Sequence, residues 1–330
     1  MSCLMATVSD QPSTKDHEHA RRALQCGSVS PTRRIDSSTK QVGRQEPFLA
    51  NMVNKNGFIQ VLMEHLSNAG VPVMQADGDA DTLIVQEALQ SADRFQSPVA
   101  VLAEDTDILA LLLHHSKPNE HDVYFVNQPK ILRNRQRSEG KVIRIRDLQR
   151  EIGSDACEVI LVAHAFGGCD TTSAIYGHGK GAIFNKIVNS VVLMNHCRTL
   201  QSADATRDDI CSAGVKLMVS VYGGKASSNL GEMRHSAYSV RSLKCRFSPE
   251  SLPPSQSAAE MHSLHVHWQS VAWRSLGSML LPPADWGWKL ENSRLTPIQI
   301  EGYCAESRIE CHQMLMHSKV LFTVLFLQEA

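Results

Sequence analysis

Val99–His115 reads VAVLAEDTDILALLLHH, and Ala156–Phe184 reads ACEVILVAHAFGGCDTTSAIYGHGKGAIF. In the first stretch a nearly continuous apolar run, Val99–Ala103, follows Ser97-Pro98 and ends on Glu104-Asp105-Thr106-Asp107. Such a run suits a central parallel strand covered on both faces. Ile108–His114 then reads as a buried helix, with a second strand as the alternative. The second stretch opens on a helix, Asp155–Phe166, which is apolar nearly all round and therefore expected to be buried. Gly167-Gly168 ends it, and Asp170 follows at once. In open α/β sheets ligands bind beyond the carboxyl ends of the strands, so both stretches deliver carboxylates to places where a site forms.

The flanking sequence extends this pattern. Asn54–Ala69 places Phe58, Leu62 and Leu66 at a helical repeat, with Gly70 as its C-terminal cap. Val71–Gln75 is a short strand. Ala76–Ala92 reads as a helix entered through Asp77, Asp79 and Asp81, with Leu83, Ile84, Val85, Ala88 and Leu89 as its buried face. Acids in a first turn suit the positive end of a helix dipole, which gives them an ordinary reading as caps. Val123–Asn127 and Lys141–Arg146 read as two further strands. Lys130–Arg150 holds eight Lys/Arg against two acids, and is either a phosphate-contacting surface or a solvated loop. Beyond Phe184 the pattern is helical, over Ile187–Leu200, Asp208–Tyr222 and an amphipathic Ala258–Ser275. The last carries His262, His265 and His267, which a helix turns to different faces; they read as surface histidines rather than a metal site. From Leu281 periodicity weakens.

Composition narrows the class. With 330 residues and 42% hydrophobic content the chain can bury a substantial core. Its net charge of −1 provides no global field toward nucleic acid, so any such binding rests on a local patch. Nine cysteines occur with no CxxC pair, which points to reduced thiols and a nuclear or cytoplasmic setting. The N-terminus lacks a hydrophobic signal core. Val320–Leu327 is apolar, but eight residues fall short of the roughly 20 that span a bilayer as a helix. No GxSxG, Walker A or Rossmann fingerprint is present, against serine-hydrolase, NTPase and dehydrogenase readings. Four segments result: a polar 1–46, partly disordered or helical over Ser13–Leu24; a compact 47–190; a helical 191–280; and a poorly specified 281–330.

The acids at the ends of these elements are Asp79, Asp81, Asp105, Asp107 and Asp170. Taken singly each has an ordinary role as a cap or turn residue. Brought together they would repel, unless a cation neutralised them. Mg²⁺ and Mn²⁺ prefer such hard oxygen ligands, and paired ions of this kind drive phosphodiester cleavage. Gly177, Gly179 and Gly181, with Lys180 among them, form a turn whose backbone N–H groups can cradle a phosphate.

Ala103–Ile108 (AEDTDI) and Arg146–Ala182 (RDLQREIGSDACEVILVAHAFGGCDTTSAIYGHGKGA) resemble the nuclease core of PIN-like and flap-endonuclease-type proteins, over about Asn54–Lys186. The resemblance implies a three-layer α/β/α fold with a mostly parallel central sheet over 47–190, followed by a helical extension. It implies Asp79, Asp81, Asp105, Asp107 and Asp170 as ligands of Mg²⁺ or Mn²⁺, and Gly177–Gly181 as a hairpin gripping a nucleic-acid backbone, DNA rather than RNA. A closer resemblance is to transposon-associated animal proteins in which a PIN-like domain with HAFGGCDTTSAIYG-type wording precedes a tesmin-like CXC segment. Ser13–Arg22 and Leu281–Leu290 also look like that group. Two departures are visible. Met1–Asp10 shows no strand of the expected kind reaching an Asp-Gly, and Glu301–Ala330 holds only Cys304 and Cys311 where a cysteine-rich segment is expected. The resemblance thus implies a fragment of the family, cut at both ends. The expected function is a metal-dependent, structure-selective nuclease; the alternative, favoured by the missing first-strand Asp, is a catalytically inactive module that binds nucleic acid or protein.

Overall fold

The computed structural model describes residues 2–7, 30–40, 45–76, 79–117, 121–129, 139–242, 248–279, 281–291, 294–298 and 322–325. In chain order its elements are strand β1 (Ser2–Thr7), helices α1 (Gln45–Ala50) and α2 (Met52–Asn68), strand β2 (Val73–Ala76), helix α3 (Ala80–Phe95), strand β3 (Val99–Leu102), helix α4 (Thr106–His115), strands β4 (Val123–Asn127) and β5 (Lys141–Arg144). Helices α5 (Ile145–Ile152), α6 (Ser154–Phe166), α7 (Lys180–Val188), α8 (Val191–Leu200), α9 (Arg207–Val221), α10 (Leu230–Arg241) and α11 (Gln256–Arg274) follow, then strands β6 (Trp288–Glu291), β7 (Arg294–Pro297) and β8 (Phe322–Leu325). The chain divides into two compact units, one built on 1–151 with 291–295 and 318–330, the other on 152–290 with 296–317. The stretch 47–190 contributes to both.

The first unit is α/β. Its sheet runs β2-β1-β8-β3-β4-β5. β1 and β2 pair in parallel, Leu4 opposite Val73 through Thr7 opposite Ala76, and so do β3 and β4, Val99 opposite Val123 through Leu102 opposite Val126. β8 lies antiparallel to both β1 and β3, and β5 antiparallel to β4. The sheet is therefore mixed, not mostly parallel. The physical reason is that an unbroken apolar strand such as Val99–Leu102 reports burial on both faces and is silent about the direction of its neighbours.

β1 shows that the first residues do form a strand, though not the β-branched one reaching an Asp-Gly that the resemblance called for. Ser2–Thr7 has few β-branched side chains, yet pairing along both edges satisfies its backbone, and context of this kind overrides weak β-propensity. Asp10 and the expected Ser13–Leu24 helix lie outside the described residues.

α3 lies against the sheet with α4 beside it. Ile84, Val85 and Ala88 of α3 pack with Val101 of β3 and Ile108, Leu111 and Leu112 of α4 in a fully buried core, each large side chain worth about 1.5–3 kcal/mol for leaving water. α2 departs from its apolar repeat: Phe58 is exposed, and the one buried side chain is Asn54. Asn54 accepts from the Arg33 N–H at 2.8 Å and donates to the Pro31 carbonyl at 3.0 Å, so a polar clasp to residues 30–33 takes the place expected of a hydrophobic stripe. The predicted cap holds. Gly70 sits at φ +74, its N–H on Ser67 O and the Val71 N–H on Leu66 O, the double closure of a Schellman end.

The second unit is helical. α6 is buried over Val159–Ala163, Ala165 and Phe166, as its composition requires. α11 is the unit's central helix and packs against α6, α8 and α9. It is buried continuously from His262 to Trp273, which overturns the reading of its three histidines as surface residues. At its crossing with α9, a Cβ on Gly214 would lie 1.8 Å from Ser263 Oγ; only glycine permits that approach.

Candidate metal centre

The centre is built from one local device used twice. α3 begins after Asp79, whose extended backbone (φ −78, ψ 117) and Oδ1 cap the helix by accepting the Asp81 N–H at 3.1 Å. α4 begins after Asp105 (φ −84, ψ 130), whose Oδ1 accepts the Asp107 N–H at 2.9 Å. In each Asp-x-Asp pair the first residue is a favourable N-cap, and the second is carried into the first turn, where the helix dipole is positive.

These two helix starts bring Asp81, Asp105 and Asp107 together, each offering a carboxylate oxygen within 4.8 Å of the others. Asp81 is 5% exposed and Asp107 7%, while Asp105 is half-buried. Three like charges removed from water at this spacing are costly unless something cationic shares the space. Oxygen donors converging from two helix ends fit a hard divalent cation, which takes carboxylates and retains waters. Asp79 is not one of the three; its carboxylate serves the α3 cap.

Asp170 belongs to the second unit. It sits in a two-residue turn closed by reciprocal bonds between Cys169 and Thr172, at 3.2 and 3.3 Å. The glycine turn follows in the same unit. Gly177 has φ +76, and Gly179 is the N-cap of α7 without a side-chain cap bond. A Cβ on Gly177, Gly179 or Gly181 would meet no described atom within 4 Å, so packing does not demand glycine at these positions. The Lys180 ammonium reaches Nε2 of His164 at 2.8 Å. His178 packs edge-on against Tyr222 at 4.9 Å, and burial followed by nearby Lys186 lowers its pKa.

Of the basic stretch, residues 130–138 lie outside the described residues. Arg144 and Arg146 both pair with Asp122, at 2.6 and 3.4 Å, and Arg150 pairs with Asp147 at 3.3 Å. Arg144, through its hydrogen bond, is the main reason the Asp122 carboxyl titrates below its ordinary range.

The histidines of α11 are buried, each bonded to a backbone carbonyl. His262 Nε2 meets Phe166 O at 3.1 Å, His265 Nε2 meets Gly287 O at 2.8 Å and His267 Nδ1 meets Leu200 O at 2.9 Å. They do face different directions, as helical spacing requires, but every direction is interior. Desolvation holds all three below the ordinary histidine pKa, and His262 to about 4. Sequence reasoning also missed the neighbours of Asp170: Thr171, Thr172 and Gln269 are all buried polar residues, and only the adjacency of the two threonines to the acid was visible beforehand.

No protein-family model, no curated protein and no solved structure matches the chain. Fold and site define a mixed α/β protein with a largely buried carboxylate triad at two helix starts. Among the described residues, no helix is long and apolar enough to cross a membrane.

Proposed function

We propose that this protein is a Mg²⁺- or Mn²⁺-dependent phosphodiesterase of the nuclease kind, acting on nucleic acid and on DNA before RNA, with a three-layer PIN-like domain over 47–190 and a nuclear or cytoplasmic place of action. The observation that carries this is the convergence of Asp81, Asp105 and Asp107 within 4.8 Å. When bound, a divalent cation of this kind supplies Lewis-acid polarisation of a phosphoryl oxygen and a water nucleophile at neutral pH. The triad's role is to hold it, with Asp79 shaping the α3 start that presents Asp81. β1 supports the reading by supplying a first strand parallel to β2.

For Asp170, in the second unit, a metal-ligand role is proposed on the resemblance of its Gly-Cys-Asp turn alone. The open space at Gly177, Gly179 and Gly181 supports their proposed role as a backbone cradle, since glycine there serves close approach from outside.

Purified protein with Mn²⁺ and labelled single-stranded or branched DNA tests this. Cleavage is expected, and Asp105→Ala and Asp170→Ala should each abolish it. Persistent cleavage in Asp105→Ala would remove the triad from the chemistry. DNA binding at low salt without any cleavage would leave the binding module as the function.

A further inference from the structure

The turn that carries Asp170 is held by buried polar contacts. Its two central residues are Asp170 and Thr171, between the bridged pair Cys169 and Thr172. Thr172 Oγ1 accepts from the Cys169 N–H at 2.9 Å and donates to the Ala165 carbonyl at 2.6 Å. Thr171 is 6% exposed and its hydroxyl donates to Oε1 of Gln269, itself 3% exposed, at 2.5 Å. On the entry side Gly168 (φ +104) lies so close to Ala174 that a Cβ would be 2.6 Å from its Cα. Phe166, two residues earlier, has its carbonyl bonded to His262. Gln269 and His262 are both on α11, so one helix from about a hundred residues downstream braces the turn at two points.

Asp170 and Thr171 share the turn's central peptide, so anchoring Thr171 to α11 holds the backbone from which Asp170 projects. Thr171 is the inward member; its hydroxyl donates to Gln269 and lies 3.3 Å from Cys169 Sγ. We propose that Thr171 and Gln269 are positioning residues for Asp170: their buried hydrogen bond sets the turn and thereby the carboxylate beside it. This rests on the nuclease reading of Asp170 but adds residues outside any ligand set, acting through geometry alone.

The test uses the full chain with Mn²⁺ and labelled DNA, comparing wild type, Asp170→Asn, Thr171→Val, Thr171→Ser, Gln269→Met and the Thr171→Val/Gln269→Met double variant. Thr171→Val keeps shape and loses the hydroxyl; Thr171→Ser restores it. Thr171→Val and Gln269→Met should each lower kcat by about tenfold to a hundredfold with KM for DNA unchanged, the cost of a small misplacement of a reacting group. The double variant should be no worse than either single one, and Thr171→Ser should recover nearly all activity. Hydrogen exchange should rise at amides 168–174 in the two single variants while α8 and α9 stay protected. Unchanged exchange at 168–174 in Thr171→Val overturns the proposal whatever the kinetics. Normal kcat in Thr171→Val, with Asp170→Asn inactive, overturns it equally. Wild type without cleavage, or an active Asp170→Asn, is instead the failure of the nuclease reading, and the positioning role falls with it.

Discussion

Lowering the pH should weaken the second unit, and His262 sets the scale. Its ring is buried against Phe166 (5.0 Å between centroids), and Nε2 meets the Phe166 carbonyl. Desolvation first, then neighbouring His265, lowers its pKa from 6.5 to about 4. In the unfolded chain the same imidazole takes its proton near 6.5. Between these values the unfolded state binds more protons than the native state, so stability rises with pH there and is lost as pH falls. The contribution is intact above about pH 6.5 and fully lost below about pH 4. At 1.36 kcal/mol per pH unit the whole loss is about 3 kcal/mol, of which about 2 kcal/mol is gone by pH 5. His265 and His267, also lowered by burial, act in the same direction.

The assay is intrinsic to the chain. Trp268, Trp273, Trp286 and Trp288 are its four tryptophans, and all belong to the second unit, so fluorescence-detected urea unfolding reports on that unit. His262→Gln retains a side-chain N–H for the Phe166 carbonyl and removes the titration. It should be less stable than wild type near neutral pH, where packing is lost, and that gap should narrow by about 2 kcal/mol on moving to about pH 5. A gap of equal size at both pH values would show that His262 is not held neutral by burial, and the reasoning would be refuted.

Three further outcomes follow from the geometry. Asp107→Asn removes one of the three carboxylates; Mn²⁺ at a hundredfold excess over Kd, worth about 2.7 kcal/mol to wild type, should then no longer raise the calorimetric Tm. An undiminished Tm rise in that variant would exclude the triad as the Mn²⁺ site. Gly168→Ala places a Cβ against the Ala174 backbone at positive φ, and urea titration should find the second unit weaker by about 3 kcal/mol. Gly70→Ala meets open space but keeps φ +74, so calorimetry should show a loss of only about 1 kcal/mol in the first unit, with the tryptophan-detected transition unmoved.

How much of this was legible in advance varies with the range of the interactions involved. The Schellman end at Gly70 and the caps at Asp79 and Asp105 are encoded within a handful of residues, and the turn chemistry that forms them acts at that distance. The strand-then-acid pattern at Val99–Asp107 likewise fixed where carboxylates emerge. Asp79 and Asp81 could not be told apart as cap and cluster member, because both sit in the same first turn and only the position of α4 selects between them. For α2, three apolar residues at helical spacing predicted a buried face, but burial requires a partner surface, and the surface that came was the polar backbone of residues 30–33.

By itself the sequence determined much of the local vocabulary of this protein: the helices with strong apolar patterns, the caps at Gly70, Asp79 and Asp105, and that acids stand at the ends of apolar elements; the helix Leu230–Arg241 and the Gly153 cap of α6 went unread. Tertiary structure alone decided the rest. It set β8 antiparallel between β1 and β3, drew Asp81, Asp105 and Asp107 into one cluster, and closed α6, α8 and α9 around α11 so that histidines on different faces all became interior. The reason is physical: hydrogen bonds within a turn depend on neighbours along the chain, whereas burial and strand direction depend on which distant surfaces exclude water from one another.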